Sequence, residues 1–177
     1  MKRLLILLAF FALPLTAFSA DKIADFTLSD IEGQRVKLSE QLKKGPVLLD
    51  FWATWCKPCV QELPHIQEFH KKYSGQGLQV ITVTIDNPKT QSKVKPFIKS
   101  AGYTFRVLLD GDLQVRQSLG GKDIPLTLLI DQNGELVHRH LGYVAGDEKK
   151  LETMIQELLK KSAKVEAPKP AAEGSDK

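Results

Sequence analysis

The sequence predicts an α/β fold, because segments with the pattern of buried strands alternate with segments that have helical periodicity. Runs of apolar and β-branched residues at 47–51 and 78–85 predict two buried strands. Residues 126–130 and 135–141 flank Asp131-Gln132-Asn133-Gly134, which predicts two further strands joined by a tight turn. A last helix is predicted by an apolar stripe at helical spacing, formed by Leu151, Met154, Ile155, Leu158 and Leu159.

The shorter elements follow from local signals. Residues 23–38 alternate between apolar and polar side chains around an Asp-Ile-Glu-Gly turn, which predicts a β-hairpin. Ser39 is placed to cap a short helix that ends before Gly45-Pro46. The helix that follows the first buried strand and the two cysteines extends to about Tyr73 and contains Pro64, which removes one backbone hydrogen bond. A short helix at 113–119 and an Asp147 cap for the last helix complete the prediction.

Composition limits the classes of function. The 177 residues, 42% of them apolar, fit one globular domain. The formal charge of +4 is a weak sign of nucleic-acid binding, because removal of Lys2 and Arg3 from the 25 basic residues leaves 23 against 21 acidic ones. No basic stripe with interleaved aromatic residues is present, so we expect no nucleic-acid partner.

Residues 1–19 have the pattern of a secretory signal peptide, with two basic residues, an apolar stretch at about 4–15, and small residues at Ala17 and Ser19. The alternative is an uncleaved membrane anchor, but the apolar stretch is short of the ~20 residues that span a bilayer. The absence of a cysteine at the junction excludes a lipid anchor. We therefore expect cleavage, a mature domain at 20–161 in a bacterial periplasm, and a disordered tail at 162–177 that is rich in Ala, Pro, Lys and Glu.

The two cysteines of the chain, Cys56 and Cys59, lie between a predicted buried strand and a predicted helix. A thiol at a helix N-terminus is favoured as the thiolate, the form that attacks disulfides. Lowering its pKa from about 8.5 to about 7 requires roughly 2 kcal/mol, which the helix terminus and the neighbouring Lys57 can supply. Thiol–disulfide exchange is the leading hypothesis. Half of a zinc site is the alternative, but the four histidines do not have the spacing of a zinc finger.

The stretch Phe-Trp-Ala-x-Trp-Cys-x-Pro-Cys, followed by Glu-Leu-Pro, resembles the active site of the thioredoxin superfamily and its extracytoplasmic TlpA/ResA-like branch. The resemblance covers roughly residues 23–160. It implies a thioredoxin fold, a central mixed sheet flanked by helices, with an N-terminal β-hairpin. Residues 87–110 resemble the αβ unit that this branch inserts into the minimal fold.

The resemblance also implies roles for residues around the thiols. Cys56 would be the nucleophile and Cys59 the resolving cysteine, with Lys57 and Pro58 tuning the thiol pKa in the manner of reducing thioredoxins. Trp55 would contribute to the docking surface, whereas Trp52 is expected in the core. Gly-x-x-Ile-Pro-x-Thr matches the family's cis-proline loop, so the Ile124–Pro125 bond is expected to be cis, although most X–Pro bonds are trans. The Ile124 backbone would pair with substrate.

Two carboxylates are candidates for proton transfer. Glu62 is one helical turn after Cys59 and matches a buried glutamate of the ResA-like branch; a solvated helix glutamate is the alternative. Asp50 matches the buried aspartate of cytoplasmic thioredoxins. Each would raise the pKa of a nearby thiol while ionised. Which of them handles the proton is left open.

The function implied is an extracytoplasmic, monomeric thiol–disulfide oxidoreductase that reduces disulfides in proteins, among them apocytochrome c. A membrane thiol-reductase of the DsbD/CcdA kind would supply electrons, and no cofactor is expected. One alternative is a peroxidase, but Ala53 stands where the peroxiredoxin signature has Thr. Another is a copper-delivery module, which the proline loop argues against. His138 and His140 share a strand face and are expected to face solvent without binding a metal, and Asp110-Gly111-Asp112 is expected to be a turn.

Overall fold

A computed structural model of the chain describes residues 21–166. The predicted signal peptide and residues 167–177 lie outside this range. Seven strands form one sheet: β1 (Thr27–Asp30), β2 (Arg35–Lys37), β3 (Val47–Trp52), β4 (Gln79–Thr84), β5 (Arg106–Leu109), β6 (Leu126–Ile130) and β7 (Leu136–Leu141). Five α-helices accompany them: α1 (Leu38–Leu42), α2 (Lys57–Tyr73), α3 (Val94–Ala101), α4 (Gln114–Ser118) and α5 (Asp147–Glu166).

The sheet is mixed, as the sequence predicts. Its strand order is β2-β1-β5-β4-β3-β6-β7. Strands β3, β4 and β5 are parallel, and the other pairings are antiparallel. The fold is therefore the thioredoxin-like α/β fold. None of the helices between residues 21 and 166 is both long enough and apolar enough to cross a bilayer.

The predicted inserted unit consists of α3 and β5. Strand β5 pairs with β4 on one side, where Arg106 faces Ile81. It pairs with β1 on the other side, where Leu108 faces Asp30. The insertion thus connects the N-terminal hairpin to the main sheet.

Strand β3 lies in the middle of the core and carries the chain to the cysteines. All six of its residues are buried. Trp52 is fully buried, as expected, and its Nε1 donates a hydrogen bond to Oγ1 of Thr82 at 3.2 Å. The apolar character of β3 follows from its central place, since both faces of the strand are covered.

Two helix ends differ from the sequence prediction. Ser39 lies inside α1 rather than capping it, because the carboxylate of Asp25 accepts the backbone N–H of Ser39 at 2.9 Å. Helix α5 continues to Glu166, into the segment predicted to be disordered. Lysine, alanine and glutamate favour helix there, and Pro168 restricts the residue before it.

Candidate active site

Cys56 and Cys59 form a disulfide with an S–S distance of 2.01 Å at the start of α2. Cys56 is the N-cap residue, and its Sγ accepts a hydrogen bond from the backbone N–H of Cys59 at 3.3 Å. This position at the helix N-terminus is the one predicted. Cys56 is 6% exposed and Cys59 1% exposed. Cys56 is therefore the more accessible of the two cysteines.

The loop before the disulfide is held by Asp86, which follows β4. The carboxylate accepts hydrogen bonds from the backbone N–H of Thr54 at 2.8 Å, the Thr54 hydroxyl at 2.7 Å and the Thr84 hydroxyl at 2.7 Å. Burial alone would raise the pKa of Asp86, but these hydrogen bonds outweigh it and the pKa is lowered. Asp86 therefore stays ionised and fixes the residues that lead into Cys56.

A proline loop faces the disulfide. The Ile124–Pro125 peptide bond is cis, which confirms the prediction. The carbonyl oxygen of Ile124 lies 3.9 Å from Sγ of Cys56. On the other side of the loop, the Pro125 carbonyl accepts the backbone N–H of Gly142 at 2.8 Å. The loop is thus connected to the chain that follows β7.

The surface around Cys56 contains apolar and cationic side chains. Trp55 is 60% exposed, and Lys57 and Pro58 are also exposed. A cavity of about 670 Å³ opens beside the disulfide, and Trp55, Lys57, Leu113, Arg116, Lys122 and Ile124 are among its lining residues. The site can accommodate a segment of another protein next to Cys56.

Both candidate carboxylates are buried. Asp50 on β3 is 1% exposed and Glu62 on α2 is 4% exposed, so the alternative of a solvated Glu62 is wrong. In the register of β3 with β6, Asp50 faces Thr127. The hydroxyl oxygen of Thr127 lies 3.3 Å from Oδ1 of Asp50 and 3.0 Å from Oε1 of Glu62. One hydroxyl therefore connects the two carboxyl groups.

Burial makes both carboxyl groups weak acids. Burial raises the pKa of Asp50 to about 7, although the hydrogen bond from Thr127 acts in the opposite direction. Burial, and then the charge of Asp50, raise the pKa of Glu62 to about 9. Near neutral pH the pair therefore holds at least one proton, and Glu62 retains its proton to higher pH than Asp50 does.

A second, smaller cavity lies behind Glu62. It measures about 70 Å³, and its lining includes Glu62, His65, His138, His140 and Asp147. Within residues 21–166, Oε2 of Glu62 has no hydrogen-bond partner. His138 and His140 share a face of β7 as predicted, but they are half-buried rather than solvent-facing, because α5 packs beside them. Nε2 of His140 lies 3.0 Å from Oδ2 of Asp147.

Thr127 and Asp86 are site residues that the sequence interpretation missed. Thr127 sits two residues after Pro125 in an otherwise apolar strand, where a polar residue needs a buried partner. Asp86 follows a β-branched run at the carboxyl end of a parallel strand, a position where functional residues collect in α/β sheets. The sequence shows that each of these polar residues follows or interrupts an apolar run, but it does not show which residue each one bonds.

The comparisons with known proteins agree with this geometry. The Redoxin family matches residues 18–155. The thiol-disulfide oxidoreductase ResA of Halalkalibacterium halodurans is 34% identical over 150 residues, which are 85% of this chain and 80% of that protein. ResA of Geobacillus thermodenitrificans is 40% identical over 112 residues, which are 63% of each chain.

Solved structures give the same assignment. A structure from Chlorobium tepidum, named for the thiol:disulfide interchange protein DsbE, superimposes with a TM-score of 0.73 at 34% identity, covering 79% of this chain and 96% of that one. StoA from Bacillus subtilis has a TM-score of 0.63 at 27% identity, covering 75% and 96%. The chain therefore belongs to the Redoxin family, in the TlpA/ResA-like branch of the thioredoxin superfamily, and is a thiol–disulfide oxidoreductase.

Proposed function

We propose that this chain is exported to a bacterial periplasm and there reduces disulfides in other proteins with the Cys56/Cys59 pair. The observation that carries the proposal is the position of the disulfide at the N-terminus of α2, where residue Cys56 is more exposed than residue Cys59. A helix terminus favours the thiolate form of Cys56, and burial keeps Cys59 for the internal reaction. The signal-peptide pattern at residues 1–19 supports the location.

The reaction proceeds in two exchanges. The Cys56 thiolate attacks one sulfur of the substrate disulfide, whose S–S bond breaks, and a mixed disulfide forms while the first substrate thiolate leaves. Cys59 then attacks Sγ of Cys56 and releases the second substrate thiolate. Two electrons have passed to the substrate, and the protein is left with the disulfide seen in this structure.

Substrate binding is assigned to the surface around Cys56. The backbone of Ile124, beside Pro125 and 3.9 Å from Sγ of Cys56, is placed to pair with an extended substrate segment. The exposed ring of Trp55, the residue before Cys56, provides an apolar contact in the same cavity. Three basic residues line the adjacent cavity against one acidic residue, Asp123, so a neutral or acidic segment is favoured there; the basic residues are Lys57, Arg116 and Lys122.

The direction of electron flow is assigned from the groups around the thiols. Lys57 and Pro58 separate the cysteines as in reducing thioredoxins, and a DsbD/CcdA-type membrane thiol-reductase would return electrons to the oxidised protein. The buried Asp50–Glu62 pair, when it carries a negative charge, disfavours a second one near the thiols, which opposes the stabilised thiolate of a strong oxidant. Apocytochrome c is one substrate of suitable chemistry, because its thiols must be reduced before haem attachment. We expect the protein to act as a monomer.

Trapping in cells tests the proposal. A Cys59→Ala variant cannot resolve the mixed disulfide, so substrates should remain bound to Cys56 and be released by dithiothreitol. The Cys56→Ser/Cys59→Ala double variant is the matched control and should trap nothing. Recovery of periplasmic proteins from the single variant supports the function. Equal recovery from both variants, or a cytoplasmic location of the full chain, would overturn it.

A further inference from the structure

The hydroxyl of Thr127 has two acceptors and only one proton. It lies within hydrogen-bond distance of Asp50 and of Glu62, and all three side chains are buried. If both carboxyl groups were ionised, one of the two contacts would join oxygen atoms with no hydrogen between them. The geometry is satisfied when one carboxyl group is protonated and donates to Thr127, whose hydroxyl donates to the other.

We propose that Thr127 joins Asp50 and Glu62 into a single proton relay, which opens through the histidine-lined cavity behind Glu62 to solvent at His140. Thr127 is a positioning residue in this relay, because its hydroxyl accepts a proton from one carboxyl group while it donates its own to the other. The inference rests on the proposed resolving role of Cys59. In this relay Asp50 and Glu62 share their protons and act as one acid, so neither of them alone transfers the proton.

The relay has a defined task in the resolving exchange. As the Cys59 sulfur bonds to Sγ of Cys56, its proton must leave, and Glu62 follows Cys59 by one helical turn on the same helix. The proton enters the Asp50–Glu62 pair, and the Thr127 hydroxyl turns so that it donates to Oε1 of Glu62. Glu62 then gives up its own proton to the cavity after its carboxyl group rotates and places that proton on Oε2. The substrate thiolate that leaves Cys56 takes a proton from solvent on the opposite side. Protons and electrons therefore balance without any further reactant.

The cavity has the features that such an exit needs. Its volume of about 70 Å³ exceeds the roughly 10–15 Å³ that one water requires. Oε2 of Glu62, the oxygen not bonded to Thr127, is buried and has no partner in the described part of the chain. Three histidines line the cavity. One of them, His140, has a side chain that is 35% exposed, so it reaches solvent, and it contacts Asp147.

Other charged groups face this route from each neighbouring element. Helix α2 contributes His65, and β7 contributes His138, whose ring stacks on that of His140 at 6.1 Å between centroids. Helix α5 contributes Asp147, Glu148 and Lys150. Burial, and then His140 and Lys150, lower the pKa of His138. The ring of Tyr143 lies 6.1 Å from that of His65, and its hydroxyl donates to Glu148 at 3.0 Å. Tyr143 does not titrate near neutral pH, since burial, and then its bond to Glu148, raise its pKa to about 12.

The test separates the two exchanges in time. Reduced full-length protein is mixed with oxidised glutathione, quenched with acid, and analysed by mass spectrometry for the Cys56–glutathione intermediate. In Thr127→Val, formation of the intermediate should keep its normal rate, whereas its decay at pH 7 should slow by at least about tenfold, since positioned proton transfer contributes roughly 10²–10⁴-fold. Thr127→Ser should restore the decay.

The exit is tested in the same assay. His140→Gln keeps a hydrogen-bond donor for Asp147 but cannot carry a proton, so decay should slow, and added imidazole should restore it. His70→Gln, on α2 but outside this cavity, is the matched control and should decay like the parent protein. Parent-like decay in Thr127→Val or in His140→Gln, or a Thr127→Ser variant as slow as Thr127→Val, would overturn the relay. If Cys56→Ser still formed a mixed disulfide with glutathione at Cys59 as fast as the parent protein forms its own at Cys56, the proposed function itself would fail.

Discussion

The carbonyl oxygen of Ile124 and Sγ of Cys56 lie 3.9 Å apart, although the two residues are 68 positions apart in sequence. The contact brings the proline loop to the sulfur that is accessible from outside. Any substrate that reaches Cys56 must therefore also contact the Ile124 backbone. Disulfide exchange and substrate binding therefore take place around the same sulfur, Sγ of Cys56.

Removal of Cys56 should abolish the reduction of insulin disulfides. The chain has two cysteines, and Cys59 is too deeply buried to attack a protein substrate. Cys59→Ala should give a single exchange and then stop as a mixed disulfide. A turbidity assay of insulin with dithiothreitol would measure both variants. Insulin reduction by Cys56→Ser would contradict the assignment.

The reduction potential should be nearer thioredoxin's roughly −270 mV than DsbA's roughly −120 mV. Asp50→Asn should make the couple more oxidising, because an ionised carboxylate near the thiols is removed; a shift of one pKa unit corresponds to about 1.4 kcal/mol, or about 30 mV. Glu62→Gln should have a smaller effect at pH 7, where Glu62 keeps its proton. Equilibration with glutathione or dithiothreitol gives the potentials, and a parent value near DsbA's would contradict the reductant proposal.

The stability of the oxidised protein should fall as the pH rises from about 5 to about 9. The pKa values of Asp50 and Glu62 are raised on folding, so their stabilising contribution is full below pH 4 and is lost as the pH rises through the folded pKa values of about 7 and about 9. The slope should approach 1.4 kcal/mol per pH unit for each retained proton. Urea unfolding of Glu62→Gln should show a shallower slope between pH 7 and 9.

Glu68→Gln is the control for that experiment, because Glu68 lies on the same helix with its side chain 73% exposed. It should leave the slope unchanged. Equal slopes in the parent protein and in Glu62→Gln would mean that Glu62 does not hold a proton in the folded state.

Asp86→Ala should destabilise the protein by about 1–3 kcal/mol, because the N–H and hydroxyl of Thr54 lose their acceptor. It should also lower the rate of attack by Cys56, since the loop before the disulfide is no longer fixed. Urea unfolding and the glutathione assay measure the two effects. Asp25→Ala, which removes an exposed acceptor far from the thiols, should leave the attack rate unchanged.

Local sequence predicted the parts of this molecule that depend on neighbouring residues. The apolar run of β3, the turn at Asp131 and the cysteine pair are of this kind, and the observed strands begin or end within two residues of the predicted bounds. The Ser39 cap was wrong because the carboxylate of Asp25, fourteen residues earlier, accepts the backbone N–H of Ser39 and so satisfies a donor in the first turn of α1. The sequence of α1 alone does not include Asp25, so it could not predict this contact.

The buried polar groups depended on strand register and on helix packing. Asp50 was a candidate because it lies six residues before Cys56 in the sequence. Its contact with Thr127, however, requires β6 to align antiparallel with β3 in one register. His138 and His140 were expected to face solvent, because two histidines on one strand face without a third ligand do not indicate a metal site. Their burial arises from α5, which follows them in the chain and covers that face.

The connection of the hairpin through β5 also determines the order in which the chain can fold. Residues 27–37 leave the ribosome early, yet their docking strand at residues 106–109 is made about 70 residues later. A two-stranded hairpin is marginally stable alone. The N-terminal part of the chain must therefore wait for the insertion, a non-local pairing of the kind that slows folding. In the exported protein that we propose, this delay would keep residues 27–37 extended during translocation.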